Sequence, residues 1–247
     1  MPAYFNLIDK IKRYFWLSQH ELIWVLISIG IVTIMIGFDD GSKTFELSSW
    51  ITNLLQILFI VALAVIVHET AHRIYALHIG FQLEFKPFFY GLVAGLIVML
   101  LTLGKVFFIA YGSFEAKLMR THRLGQFRYG LNYFAIAAIA AIGPIANMAL
   151  ATAFRMMTFL PEGFVHKAVL INVMFAIYNL LPIPLLDGAQ VFFGSKVFYA
   201  LVIGLVAGWS VFLLLPTFSL LAAIIGSIAL SLIFGAVMVL FEEKIIG

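Results

Sequence analysis

Two histidines four residues apart with a glutamate between them, His68-Glu69-Thr70-Ala71-His72, stand inside an apolar run. On a helix, positions i and i+4 share one face about 6 Å apart along the axis, so both imidazoles can reach one zinc ion. Glu69 then lies beside the metal, where a carboxylate can take a proton from a water that the metal activates. The setting adds weight to that reading. Inside a bilayer two histidines and a glutamate cost several kcal/mol unless they are paired or ligated. The plain alternative is a pair of interfacial histidines capped by water or lipid headgroups.

Composition indicates which elements must position the motif. Of 247 residues, 64% are hydrophobic and 11% charged, with a mean hydropathy of +1.09. Soluble domains carry about 25% charged residues. Several apolar windows are long enough to span a membrane, which predicts an all-α polytopic membrane protein. About six transmembrane helices are expected, with a re-entrant or hairpin element and a small membrane-associated β-structure, in a single domain over 1–247. There are no cysteines, so disulfides and thiolate ligands are excluded and His, Asp, Glu or Asn must hold any metal. The net charge of +3 comes from basic residues clustered beside apolar spans, the mark of cytoplasmic loops and not of nucleic-acid binding. The first 20 residues hold Asp9, Lys10, Lys12 and Arg13 and lack the apolar core and cleavage site of a signal peptide.

Taken in order, residues 1–20 read as a basic amphipathic tail on the cytoplasmic side, and 22–38 as a first span followed by an acidic loop. The second span is expected from about Ser49, capped by a Ser-Ser pair, through the histidines towards Ile79. Residues 81–86 alternate apolar and polar, a strand signal that Pro87 ends, and Val106–Tyr111 is a second candidate strand. Between them the apolar stretch from Phe88 to Gly104, punctuated by Gly91 and Gly95, has Lys86 on one flank and Lys105, Lys117, Arg120, Arg123 and Arg128 beyond the other. Both flanks are therefore expected in the cytoplasm and the stretch is read as re-entrant, although its length also suits a complete crossing. A third span holds Gly143-Pro144-Ile145-Ala146-Asn147. A fourth, from Ala168, ends in Asn179-Leu180-Leu181-Pro182-Ile183-Pro184-Leu185-Leu186-Asp187-Gly188, where two prolines unwind the chain. Two further spans, near 197–215 and 218–241, are parted by Pro216. Asn147 can face a wet cavity or serve as interhelical glue. His20, His78, His122 and His166 fall at interfaces or loops and are expected to be solvated.

The three motifs in this order resemble the site-2 proteases, intramembrane zinc metalloproteases that cut membrane-embedded substrates. The resemblance covers roughly residues 50–195, taken as the catalytic core, with 196–247 as C-terminal transmembrane helices. It implies one zinc per chain held by His68, His72 and Asp187, Glu69 as general base, and Asn147 and Asn179 contacting substrate or the developing oxyanion. The residues agree: a catalytic zinc wants three protein ligands and an open position, and Asp187, on an unwound segment, is the best third candidate. Its alternative is a helix-end cap. The implied partners are the lipid bilayer and membrane-protein substrates; the alternation of 81–86 suits holding such a substrate by strand addition, and the charge pattern and topology place the chain in the cell membrane with both termini cytoplasmic. A metal transporter or sensor, or a catalytically silent binder of membrane helices, is the rival function.

One metal must touch both His68 and Asp187, and three complete crossings between them would put Asp187 on the wrong face. The stretch from Phe88 to Gly104 is therefore expected to be the one that fails to cross.

Overall fold

In a computed structural model the chain is described over residues 3–42, 44–119, 132–215 and 219–246. Arg120, Arg123, Arg128, His122 and Pro216 lie outside the described residues. Helix α1 (Ala3–Tyr14) lies against the end of the central helix, with Lys10 Nζ donating to Leu77 O at 3.1 Å. Helix α2 (Gln19–Gly37) opens with a capping box: Ser18 Oγ accepts from Glu21 N–H, and Ser18 N–H donates to the Glu21 carboxylate at 2.8 Å. This is the near end of the molecule.

Helix α3 (Leu47–Ile79) is 33 residues long, about 50 Å, well beyond a hydrocarbon core of about 30 Å. It starts at the far end and brings the histidine motif to the near end. Its start corrects the expected serine cap: Glu46 stands at the N-cap without a side-chain capping bond to the backbone, and Ser49 Oγ donates to the Glu46 carboxylate. Gly80, at φ 96°, stops the helix, because only glycine takes that left-handed conformation cheaply.

Strand β1 (Phe81–Pro87) falls where the alternation placed it, and pairs antiparallel with β2 (Gly112–Leu118), Phe81 opposite Leu118 and Pro87 opposite Gly112. The second strand is thus not Val106–Tyr111. Between the strands runs helix α4 (Phe89–Leu101), 13 residues or about 20 Å, too short to span alone. Its glycines do not break it. A Cβ at Gly91 would lie 2.5 Å from Ala110 O, and one at Gly95 2.6 Å from Met35 Sδ. These glycines let the extended chain 106–111 lie flat against the helix on its way back.

The hairpin tip corrects the expected flank. A Cβ at Gly104 would meet Phe38 and Asp39 at the far end of α2, and Lys105 shares a cavity there of about 400 Å³ with Asp39, Asp40 and Lys167. Lys105 is therefore not on the same side as Lys86. The excursion still returns to its origin, because strand pairing seats Gly112 on Pro87 and an ion pair joins Lys117 to Glu84. Hydrogen bonds from Lys117 and then Lys86 hold the half-buried Glu84 carboxyl below its usual pKa.

Helix α5 (Tyr133–Met156) contains Pro144 and a run of small buried residues, Ala137, Ala140, Ala141 and Gly143, that admits α3 at close range. Helix α6 (Glu162–Asn179) returns from the far end, where Lys167 Nζ donates to Asn53 at 2.7 Å. After the turn 180–186 comes α7 (Asp187–Gly194), then the antiparallel pair α8 (Lys196–Leu214) and α9 (Leu220–Ile246), in which Gly204 and Gly208 meet Ser231 and Ser227. Among the described residues five helices are long and apolar enough to cross a membrane: α2, α3, α5, α8 and α9. Helix α6 is less apolar because Lys167, Asn172 and Asn179 sit on it.

Candidate metal centre

The histidines of α3 and the first residue of α7 meet in the interior. His68 Nε2 lies 2.8 Å from Asp187 Oδ2, His72 Nε2 lies 3.2 Å from the same oxygen, and the two Nε2 atoms are 2.9 Å apart. All three side chains are sealed from the surface, at 1%, 1% and 0% exposure. They are the one group of potential metal ligands found among the described residues.

The backs of the rings fix their protonation. His72 Nδ1 faces the carbonyl of Ile139 at 2.7 Å, and a carbonyl only accepts, so Nδ1 carries the proton. His68 Nδ1 lies 2.6 Å from Asn147 Oδ1, and the amide is oriented by its other end, where Nδ2 donates to Ala64 O and to Asn172 Oδ1, both at 3.1 Å. Asn172 is anchored in turn to Ala168 O at 2.8 Å. As ligands to a metal both rings are neutral, and each then points an Nε2 lone pair towards the carboxylate of Asp187. Three lone-pair donors converging in a dry interior repel unless a cation sits among them, so this donor set fits a bound metal. The backbone of α5 passes close by: a Cβ at Gly143 would lie 2.5 Å from His68 Nε2 and closer still to His72 Nε2.

Asp187 reaches this point because the turn is strained into shape. Pro182 and Pro184 exclude helix, Leu185 takes φ 67°, and Leu186 N–H bonds back to Ile183 O at 3.0 Å. The second carboxylate oxygen of Asp187, Oδ1, accepts from Ser113 Oγ at 2.7 Å, and Gln190 Nε2 donates to Ser113 Oγ at 2.9 Å. Strand β2 thus steadies the carboxylate while Oδ2 faces the histidines.

Glu69, one residue on from His68, accepts from the hydroxyl of Tyr111 at 3.2 Å and is 7% exposed. Of the two asparagines expected to meet substrate, Asn147 has both ends engaged as described. It has no amide hydrogen left for an oxyanion. Asn179 is fully buried and donates to Phe175 O at 2.9 Å, and its Oδ1 has no partner. Removing the Asn147 carboxamide should free the His68 ring: Asn147→Ala is expected to weaken zinc binding about 10- to 100-fold, measured by competition with a chelator. Equal affinity would show that Asn147 serves packing alone.

Sequence reasoning did not find Tyr111, Ser113, Gln190 or Asn172. It also did not find the ion pair Arg73–Glu21, in which Glu21 Oε1 accepts from Arg73 Nη2 at 2.5 Å and from Phe85 N–H at 2.8 Å. Arg73 Nη1 also reaches Leu83 O at 3.5 Å. Phe85 N–H and Leu83 O point away from β2, so Glu21 and Arg73 engage these two groups on the outer edge of β1. On the outer side of β2, Phe114 O accepts from Gln190 Nε2 at 3.0 Å and the Phe114 ring packs on His72, with centroids 4.9 Å apart. His20, His78 and His166 are exposed, as expected.

No protein-family profile matches the chain, and no solved structure matches it. Over 194 residues it is 28% identical to a protein of Methanocaldococcus jannaschii named "Putative zinc metalloprotease MJ0611", an alignment that takes in 76% of this chain and 91% of that one.

Proposed function

We propose that the chain is an intramembrane zinc endopeptidase of the site-2 protease type, cutting a peptide bond in or beside a transmembrane segment of its substrate. The observation that carries this reading is the buried convergence of two imidazole lone pairs and one carboxylate oxygen, with the carboxylate of Glu69 on the adjacent residue. The name of the archaeal relative, which aligns over most of its length, agrees with it.

His68, His72 and Asp187 would hold the metal. Zinc bound there supplies Lewis-acid polarisation of the scissile carbonyl and lowers the pKa of an attacking water. Glu69 takes the proton released as the water oxygen bonds to the carbonyl carbon, and returns it to the departing amide nitrogen as the C–N bond breaks. Ser113 and Gln190 keep the third ligand aimed, while Asn147 and Asn172 keep His68 in the tautomer that offers Nε2. A helical substrate hides its amides and must unwind before cleavage. Such an extended segment would add to the outer edge of β2, beside Phe114 and Asp187, with Gln190 giving up Phe114 O.

In the membrane this reading makes α6 a sixth crossing beside the five long apolar helices, with the α4 excursion as the hairpin element and both chain ends at the near, cytoplasmic end. A cysteine at Lys86 and one at Lys117, introduced singly into a chain that has none, should both be labelled from the same side by an impermeant thiol reagent. Labelling from opposite sides would contradict the hairpin.

The function is tested by cleavage of a quenched-fluorescent transmembrane peptide, rich in Leu and Ala and loosened by a central Asn-Gly, in detergent. Cleavage that follows zinc content supports the protease. Zinc crossing a vesicle membrane without cleavage supports a transporter.

A further inference from the structure

Amide hydrolysis places a full negative charge on the former carbonyl oxygen, and a water-excluded site needs a donor aimed there besides the metal. Asn147 does not supply it, because both its amide hydrogens go to Ala64 O and Asn172, and Asn179 commits one of its two to the backbone of its own helix. Ser113 donates to Asp187, Gln190 donates to Ser113 and Phe114, and Arg73 commits Nη1 and Nη2 to Phe15, Leu83 and Glu21, with Nε alone left without a partner.

Tyr111 differs from all of these. Its hydroxyl donates to the carboxylate of Glu69, the group that changes charge in the reaction. The ring is fully buried, stacked on Phe85 with centroids 5.9 Å apart, packed on Phe175 at 5.7 Å, and 6.0 Å from the ring of His68. Its position is fixed from both sides, by Phe88 N–H donating to Tyr111 O at 3.0 Å and by β2 beginning at the next residue.

The geometry points to Tyr111 as a catalytic hydrogen-bond donor that follows the charge, a role that rests on the protease reading above. In the resting site the phenol O–H serves the Glu69 carboxylate. As the water oxygen bonds to the carbonyl carbon, the C=O π pair moves to the carbonyl oxygen and the water's proton moves to Glu69. Negative charge leaves Glu69 and arises on the substrate in one step. The phenol proton stays on its oxygen and turns from the neutralised Glu69 to the oxyanion. In this apolar cage of aromatic rings such a bond is stronger than in water.

The test is Tyr111→Phe, which keeps the ring packing and removes one oxygen. Three quantities are measured: zinc per chain, kcat and KM on the Leu/Ala-rich peptide, and affinity for that peptide with its central amide replaced by a phosphinate, whose tetrahedral anionic oxygen copies the oxyanion. Zinc should stay at the wild-type level and KM within about twofold, while kcat falls about 10²- to 10³-fold. Phosphinate affinity should fall about tenfold or more. Wild-type kcat, or phosphinate binding as tight as wild type, overturns the role of Tyr111 and leaves the protease reading standing, provided Glu69→Gln is inactive in the same assay. Zinc loss in Tyr111→Phe overturns it too, because the phenol would then serve only to hold the site together. A wild type that neither cleaves the peptide nor binds the phosphinate overturns the protease reading and the Tyr111 role together.

Discussion

Glu69→Gln should retain one zinc per chain and lose about 10²- to 10⁴-fold in kcat, the usual range for removing a general base. The substitution preserves shape, and the carboxamide oxygen it introduces can still accept from the Tyr111 hydroxyl, as the Glu69 carboxylate does at 3.2 Å. What disappears is the capacity to hold a proton at that position. Folding and metal should be indifferent to the change, since neither His68 nor His72 nor Asp187 uses Glu69 as its hydrogen-bond partner. Zinc content and peptide cleavage measured on one preparation separate the outcomes. Zinc kept with activity kept removes Glu69 from the chemistry, and zinc lost makes it a ligand, as a transporter would require.

Asp187→Ala should have the opposite signature, losing the metal first. Four-ligand zinc sites are worth about 10–16 kcal/mol, roughly 3 kcal/mol for each ligand, so removing one should lower affinity on the order of a hundredfold. Stability should fall as well. With the carboxylate gone, the Ser113 hydroxyl loses its acceptor, and the Nε2 lone pairs of His68 and His72 face each other at 2.9 Å in a sealed interior. The loss should show both as a lower zinc content after dialysis against a chelator and as a lower thermal midpoint in detergent. A variant with full zinc and an unchanged midpoint would put the third ligand elsewhere.

What is legible in the sequence is local. The i, i+4 spacing of His68 and His72 already fixes a common helix face, and the alternation of 81–86 already fixes a strand. Asp187 lies 115 residues beyond His72 and comes into view only through the two prolines before it and the resemblance of its motif. Ser113 and Tyr111 are not legible, because their roles depend on a hairpin that leaves the sheet at Pro87 and returns at Gly112. The signal for the second strand is nevertheless present. In Gly112–Leu118 the polar residues Ser113, Glu115 and Lys117 alternate with Phe114, Ala116 and Leu118, whereas 106–111 is apolar throughout until its last residue. Charge misleads at Lys105, since the positive-inside rule describes a bias summed over a loop, and a single lysine can sit with Asp39 and Asp40 at the opposite end. Gly91 and Gly95 look like breaks in the sequence because close approach of the returning extended chain 106–111 gives glycine the same letter as a turn.

His68, His72 and Asp187 are expected to bind one zinc ion, which metal analysis and the zinc K-edge absorption spectrum of the purified protein can test. The expected spectrum shows one zinc per chain with two imidazoles and oxygen ligands at about 2.0–2.2 Å and no sulfur, and in Asp187→Ala the remaining metal shows a changed oxygen shell. A protein free of zinc after purification in zinc-supplemented buffer, or a spectrum identical in wild type and Asp187→Ala, would contradict it.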